Sequence, residues 1–166
     1  MEIHCSPEVS SEYLDEVWEI LRDKEFLSLC QYCHHQRSNR LLHSLNVSYI
    51  SWKIAKRFGC DERAAARAGL LHDFCPYDFS EETPTGERQV FYHPKAAAEN
   101  SSQHFEISQK EREAILTHMF PLGSVPTNRE GWIISFADKI CAVMEVCNVA
   151  IALARHNRVV VVSAAA

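Results

Sequence analysis

The chain has 166 residues, 46% of them hydrophobic and 23% charged, and a formal net charge of −5. That composition suits one globular domain with a real core. It offers no excess of Lys and Arg to displace counterions from a nucleic-acid backbone, and no stretch approaches the ~20 apolar residues of a bilayer span, so neither a nucleic-acid polymer nor a membrane is an expected partner. The opening Met1-Glu2-Ile3-His4-Cys5-Ser6 lacks the basic-then-apolar plan of an export signal, which makes the cytoplasm the expected location. Its seven cysteines would stay reduced there, with Cys141 and Cys147 as small core residues of an apolar helical run.

The pattern is helical almost throughout. Ser6-Pro7 reads as a cap with proline at the first helical position, followed by Val9, Tyr13, Val17, Ile20 and Leu21. A short second helix is predicted from Lys24 to about Tyr32. Ser38 or Asn39 opens a longer one that ends at Gly59 as a left-handed cap. Along it His43, Val47, Ile50 and Ile54 fall at offsets of four, three and four, which puts His43 on the core stripe. Asp61 caps the next helix, Glu62 to about Phe74, whose Ala64, Ala65, Ala66, Ala68 and Gly69 permit a close helix neighbour. Pro76 ends it, and residues 76–92 read as a loop over a site.

His93-Pro94 is expected to start a further helix, to about His104. Ser108 and Glu111 form a capping box for a helix that reaches His118. Pro121, Gly123 and Pro126 mark a loop, and Asn128 caps a last long helix from Arg129 to about His156. The tail from Val159 to Ala166 is β-prone but has no evident strand partner. The expectation is a single all-α domain of six or seven helices over residues 1–158, with 159–166 as a tail.

Chemistry enters with six side chains. His43 lies mid-helix on an apolar stripe, His72-Asp73 closes an almost uncharged run, and Asp138 sits inside Trp132–Val143, with His93 and His118 between them. A buried unpaired carboxylate costs several kcal/mol. Shared cations would satisfy all these groups together, and imidazole with carboxylate suits Fe, Mn, Co, Ni or Zn better than Ca.

Arg40-Leu41-Leu42-His43, Ala68-Gly69-Leu70-Leu71-His72-Asp73 and Ser135-Phe136-Ala137-Asp138-Lys139 resemble the HD superfamily of metal-dependent phosphohydrolases. The resemblance implies a helical bundle in which His43, His72, Asp73 and Asp138 bind one divalent transition metal. Binuclear members add two histidines where His93 and His118 stand, and Asp73 would then bridge two ions. The closest subgroup resembled is the small bacterial HD hydrolases. Phe74-Cys75 replaces the Ile-Gly of many members and no Gly-Tyr-Pro motif is present, differences that bear on substrate rather than on metal.

Two cations can hold a hydroxide at neutral pH and neutralise a phosphoryl group under in-line attack. The expected substrate is therefore a nucleotide or another small phosphorylated metabolite. Asp73, Lys139 and Asp78 are the catalytic expectations, with Lys139, Lys95 and Arg40 as phosphate contacts. A mixed-valent di-iron oxygenase and a non-catalytic ligand-sensing module are the alternatives within the same family, and the sequence is compatible with a homodimer. Cys30-Gln31-Tyr32-Cys33-His34 matches the c-type haem pattern, but the default reading is ordinary thiols. His35 lies close enough to His43 in sequence to line the same site.

Overall fold

A computed structural model describes residues 2–34, 38–155 and 158–162. Its elements, in order, are β1 (Glu2–Cys5), α1 (Ser11–Leu21), α2 (Lys24–Ser28), a 3-10 turn (Leu29–Gln31), β2 (Cys33–His34), β3 (Ser38–Asn39), α3 (Arg40–Phe58), α4 (Glu62–Leu71), α5 (Gln89–His104), α6 (Gln109–Thr117), α7 (Arg129–Val146) and β4 (Val159–Val162). The architecture is all-α, with seven helices and two small strand pairs among the described residues. Among the described residues, no helix is long and apolar enough to cross a membrane.

α3 is the central element and packs mainly on α4 and α7. Asn39 caps its start by accepting from Leu42 N at 2.8 Å, and Gly59 ends it at φ 63°, where a side chain would be strained. Asp61 then caps α4 by accepting from Ala64 N. The small residues of α4 let it lie almost on the backbone of α3. A Cβ at Gly69 would stand 2.8 Å from Ser48 Cα, and Ser48 Oγ donates to Ala66 O at 2.7 Å across the same crossing. This contact fixes the C-terminal end of α4 against the middle of α3. Behind α4, the buried Arg67 ties three segments by bonding Glu111, Glu19 and the carbonyl of Glu106.

Several boundaries differ from expectation. The first helix starts at Ser11, because Ser6 N donates to Arg158 O and extends the β1 strand, and Val9 N closes a turn on Ser6 O. The valine run does have a partner: β4 pairs antiparallel with β1, Glu2 opposite Val162 and Cys5 opposite Val159. The second helix stops at Ser28 and tightens into the 3-10 turn. α5 begins at Gln89, so Pro94 lies in its second turn and the loop shortens by several residues. α7 ends at Val146, well before His156, where Asn148 turns the chain left-handed at φ 57°. Cys141 is buried as expected, but Cys147 is exposed.

Candidate metal centre

The ends of three helices and the flank of two others converge on one buried spot. His43 projects from the first turns of α3 and has no exposed surface. Its Nε2 lies 3.1 Å from Asp138 Oδ1 of α7, and its Nδ1 lies 3.1 and 3.2 Å from the two oxygens of Glu145. His72 caps the C-terminus of α4, where its Nδ1 donates to Gly69 O at 2.8 Å. Asp73 follows and is 4% exposed. Its Oδ2 is 3.8 Å from His72 Nε2, and its Oδ1 is 3.4 Å from His93 Nε2 and 3.7 Å from His118 Nε2. His93 on α5 donates from Nδ1 to Gln89 O, and His118 at the end of α6 donates to Ile115 O.

The hydrogen bonds behind the rings decide what the rings offer. A carbonyl oxygen can only accept, so Nδ1 of His72, His93 and His118 carries the proton. In the neutral ring that leaves the lone pair on Nε2, the tautomer a metal ligand needs. The three Nε2 atoms point inward toward Asp73. His72 Nε2 is buried and has no hydrogen-bond partner among the described residues. His93 Nε2 and His118 Nε2 face each other at 3.0 Å, so two lone pairs meet where only a cation or a proton relieves them.

The electrostatics follow the same division. Burial, then the neighbouring His72 and His93, push His118 down to about 3, and burial also lowers His72. These rings stay neutral. Burial pushes His43 down too, but hydrogen bonds to Asp138 and Glu145 more than offset it and hold the ring up at about 10. Burial alone would raise Asp138, yet His43 and His72 hold it well below the usual carboxylate range. Without a metal, His43 is an imidazolium between two carboxylates, and a cation bound at Nε2 must displace that proton.

Two groups of three residues have ligand atoms within 4.8 Å of one another: His43, His72 and Asp73, and Asp73, His93 and His118. Asp73 is common to both. An all-nitrogen-and-oxygen donor set of imidazole and carboxylate fits a first-row divalent ion. Among the described residues no such group includes Cys30 or Cys33, and His35 lies outside those residues.

A model of the HD domain matches residues 40–143, from the first residue of α3 to near the end of α7. The chain belongs to the HD domain family. All six side chains lie within the matched span, and the family is one of metal-dependent phosphohydrolases. Among curated proteins, the chain is similar to Ribonuclease Y of Clostridium perfringens, 34% identical over 85 residues, which is 47% of this chain and 17% of that protein. It is also similar to Ribonuclease Y of Mesoplasma florum, 38% identical over 69 residues, or 40% of this chain and 14% of that protein. The chain thus matches less than a fifth of the length of these relatives.

The HD-domain reading brings some further residues to the centre and leaves others outside it. Lys139 lies at its rim: Nζ donates to His118 O at 3.0 Å and Ser135 Oγ at 3.2 Å and is 3.5 Å from Asp138 Oδ2. Lys95 is exposed and paired with Glu87 at 2.8 Å. Asp78 is a turn residue that accepts from Ser80 N, and that bond lowers its carboxyl.

Arg40 corrects its expectation. It is 1% exposed, and its Nη1 donates to the carbonyls of Cys75 and Tyr77 while its guanidinium lies 3.7 Å from the Phe79 ring centre. It closes residues 75–79 over the HD centre instead of reaching out to a phosphate. Phe79 in turn packs on the His93 ring. Glu145 was missed by sequence reasoning. Its spacing of seven from Asp138, two turns along one face of α7, is the signal that would have found it.

Proposed function

We propose that this HD domain is a metal-dependent phosphohydrolase with two divalent ions, acting on a nucleotide or another small phosphorylated metabolite. The observation that carries this reading is Asp73, which serves both three-residue groups. When bound, ions there supply Lewis acidity, lowering the pKa of water and neutralising charge on a phosphoryl group. The chain's own residues do the rest. His43, His72 and Asp138 would hold one ion and His93 and His118 the other, with Asp73 available to both. Three carbonyl-fixed Nδ1 protons keep the Nε2 lone pairs aimed inward before any ion arrives, so little reorganisation is needed on binding.

Lys139 presents an ammonium at the rim. Two of its three protons are held by His118 O and Ser135 Oγ, and its side chain is 41% exposed, so a phosphate oxygen can take the third. Arg40 keeps Phe79 against His93, which limits water on that side. The test is phosphate release over a panel of nucleotides and dinucleoside polyphosphates with Mn, Co, Ni, Fe or Zn added. Turnover by wild type that is lost in Asp73→Ala is expected; an active Asp73→Ala enzyme contradicts the reading.

A second substrate class has one observation in its favour. The matched relatives are named ribonucleases, so a phosphodiester in RNA is the alternative to a small phosphate ester. A net charge of −5 favours the small substrate. A short 5′-labelled RNA in the same panel separates the two.

A further inference from the structure

We infer that Glu145 is a positioning residue that orients His43 and sets its strength as a ligand. The inference rests on the metal-binding reading of the site and deepens it. Three of the four histidines are fixed from behind by their own helix: His72 by Gly69 O, His93 by Gln89 O and His118 by Ile115 O. Each acceptor lies three or four residues earlier, so the turn that carries the ring also orients it. His43 stands in the opening turns of α3 and takes its support from another element. Both Glu145 oxygens lie 3.1–3.2 Å from its Nδ1, and the Glu145 side chain is 8% exposed.

α7 therefore grips both nitrogens of one ring. Asp138 meets Nε2 on the ligand side at 3.1 Å, and Glu145 meets Nδ1 behind it. A carboxylate accepting from Nδ1 leaves Nε2 the lone-pair nitrogen and raises its basicity, which a carbonyl does more weakly. His43 is also the ion-pair partner of Glu145 among the described residues, and a carboxylate this buried is costly without one.

The segment after α7 holds Glu145 in place. Val149 N returns to Met144 O, and the Asn46 side chain of α3 accepts from Leu153 N at 3.0 Å and Ala154 N at 3.1 Å. A cleft of about 140 Å³ between Leu42, Asn46, residues 148–151 and Ala154 reaches Glu145, so a change in that side chain can be filled by water.

The experiment uses Glu145→Gln and Glu145→Ala in the full chain, with two readings. The first is zinc affinity and stoichiometry, by competition with a chelator of known affinity. The second is the ring-nitrogen NMR signature of His43 in the zinc-loaded protein. For Glu145→Ala, one zinc equivalent should weaken ~10–100-fold while the other keeps its affinity. The His43 Nδ1–H signal should also broaden or move. Glu145→Gln can still accept from Nδ1 but carries no charge, so its His43 signal should persist with a smaller loss of affinity. Both zinc equivalents unchanged in Glu145→Ala, with an unchanged His43 signal, overturn the inference. So does an equal weakening of both equivalents, which marks a general structural fault. Neither reading uses turnover, so a failure of the phosphohydrolase assignment would appear separately.

Discussion

Gly69→Ala separates two physical effects of opposite sign. Helix propensity alone predicts a gain of about 1 kcal/mol, since alanine replaces glycine inside α4. The crossing with α3 predicts a loss. The new Cβ would lie 2.8 Å from Ser48 Cα and 3.1 Å from Ser48 N, both main-chain atoms of a buried helix with no rotamer to adopt. Ordinary carbon contacts begin near 3.5 Å, so the two helices must part by roughly 0.7 Å. Overpacking of this kind costs about 1–3 kcal/mol, and the bond from Ser48 Oγ to Ala66 O is strained as well. The net expectation is a loss of about 1–2 kcal/mol, or ~2–8 °C in Tm.

The same displacement moves His72 away from His43, whose ring centres are 5.3 Å apart, and ligand geometry tolerates only about 0.5 Å. Metal affinity should fall about tenfold with it, since the support of both ligands is disturbed. Urea unfolding of the metal-free protein and chelator competition measure the two effects. Gly59→Ala is the control. Its left-handed φ of 63° costs about 1 kcal/mol, but no described residue lies within 4 Å of the new Cβ, and metal affinity should not change. A Gly69→Ala protein that is more stable than wild type and binds metal normally would falsify the packing argument.

Three further outcomes follow from the site. The metal-free protein should be most stable near pH 6.5. Above that, folded His43 keeps a proton that the unfolded chain has lost, so stability falls steadily with rising pH until about 10. Below it, the lowered His72 and His118 stay neutral while the unfolded chain takes up protons, so stability falls again with acid. Urea midpoints from pH 4 to 10 trace this, and a flat profile from 7 to 9.5 contradicts the His43 assignment. Arg40→Lys should cost about 1–3 kcal/mol by stranding the carbonyls of Cys75 and Tyr77, with KM little changed; a raised KM at unaltered stability would restore it as a substrate contact. Lys139→Met should raise KM about tenfold for a phosphate ester while moving the urea midpoint little, and an unchanged KM removes Lys139 from substrate binding.

What was legible in the sequence is what local physics writes there. Asn39, Asp61, Ser108 and Asn128 each accept from the backbone N–H three residues on, so helix starts could be read from one residue type at one offset. The periodicity of α3 placed His43 inward, and the order of the six candidate ligands pointed to side chains that the fold brings together. The rest depends on distant partners. The valine run finds its strand in Glu2–Cys5, at the other end of the chain, and no local signal announces that pairing. Arg88 opens α5 without a side-chain cap, so the prominent His93-Pro94 drew the boundary too late. α7 stops at a left-handed asparagine with no glycine or proline to warn of it. Arg40 was misjudged because an arginine is ordinarily exposed, and only the carbonyls of a loop 35 residues away make its burial affordable.

The central claim is that Asp73 joins two three-residue groups into one centre for two ions. Metal content after loading with Mn or Zn, read by elemental analysis on wild type, His118→Ala and Asp73→Asn, tests it most directly. Asp73→Asn keeps the side-chain volume and removes the shared charge. The account predicts two equivalents in wild type, one in His118→Ala and close to none in Asp73→Asn at metal concentrations that saturate wild type. Two equivalents retained by Asp73→Asn would contradict it.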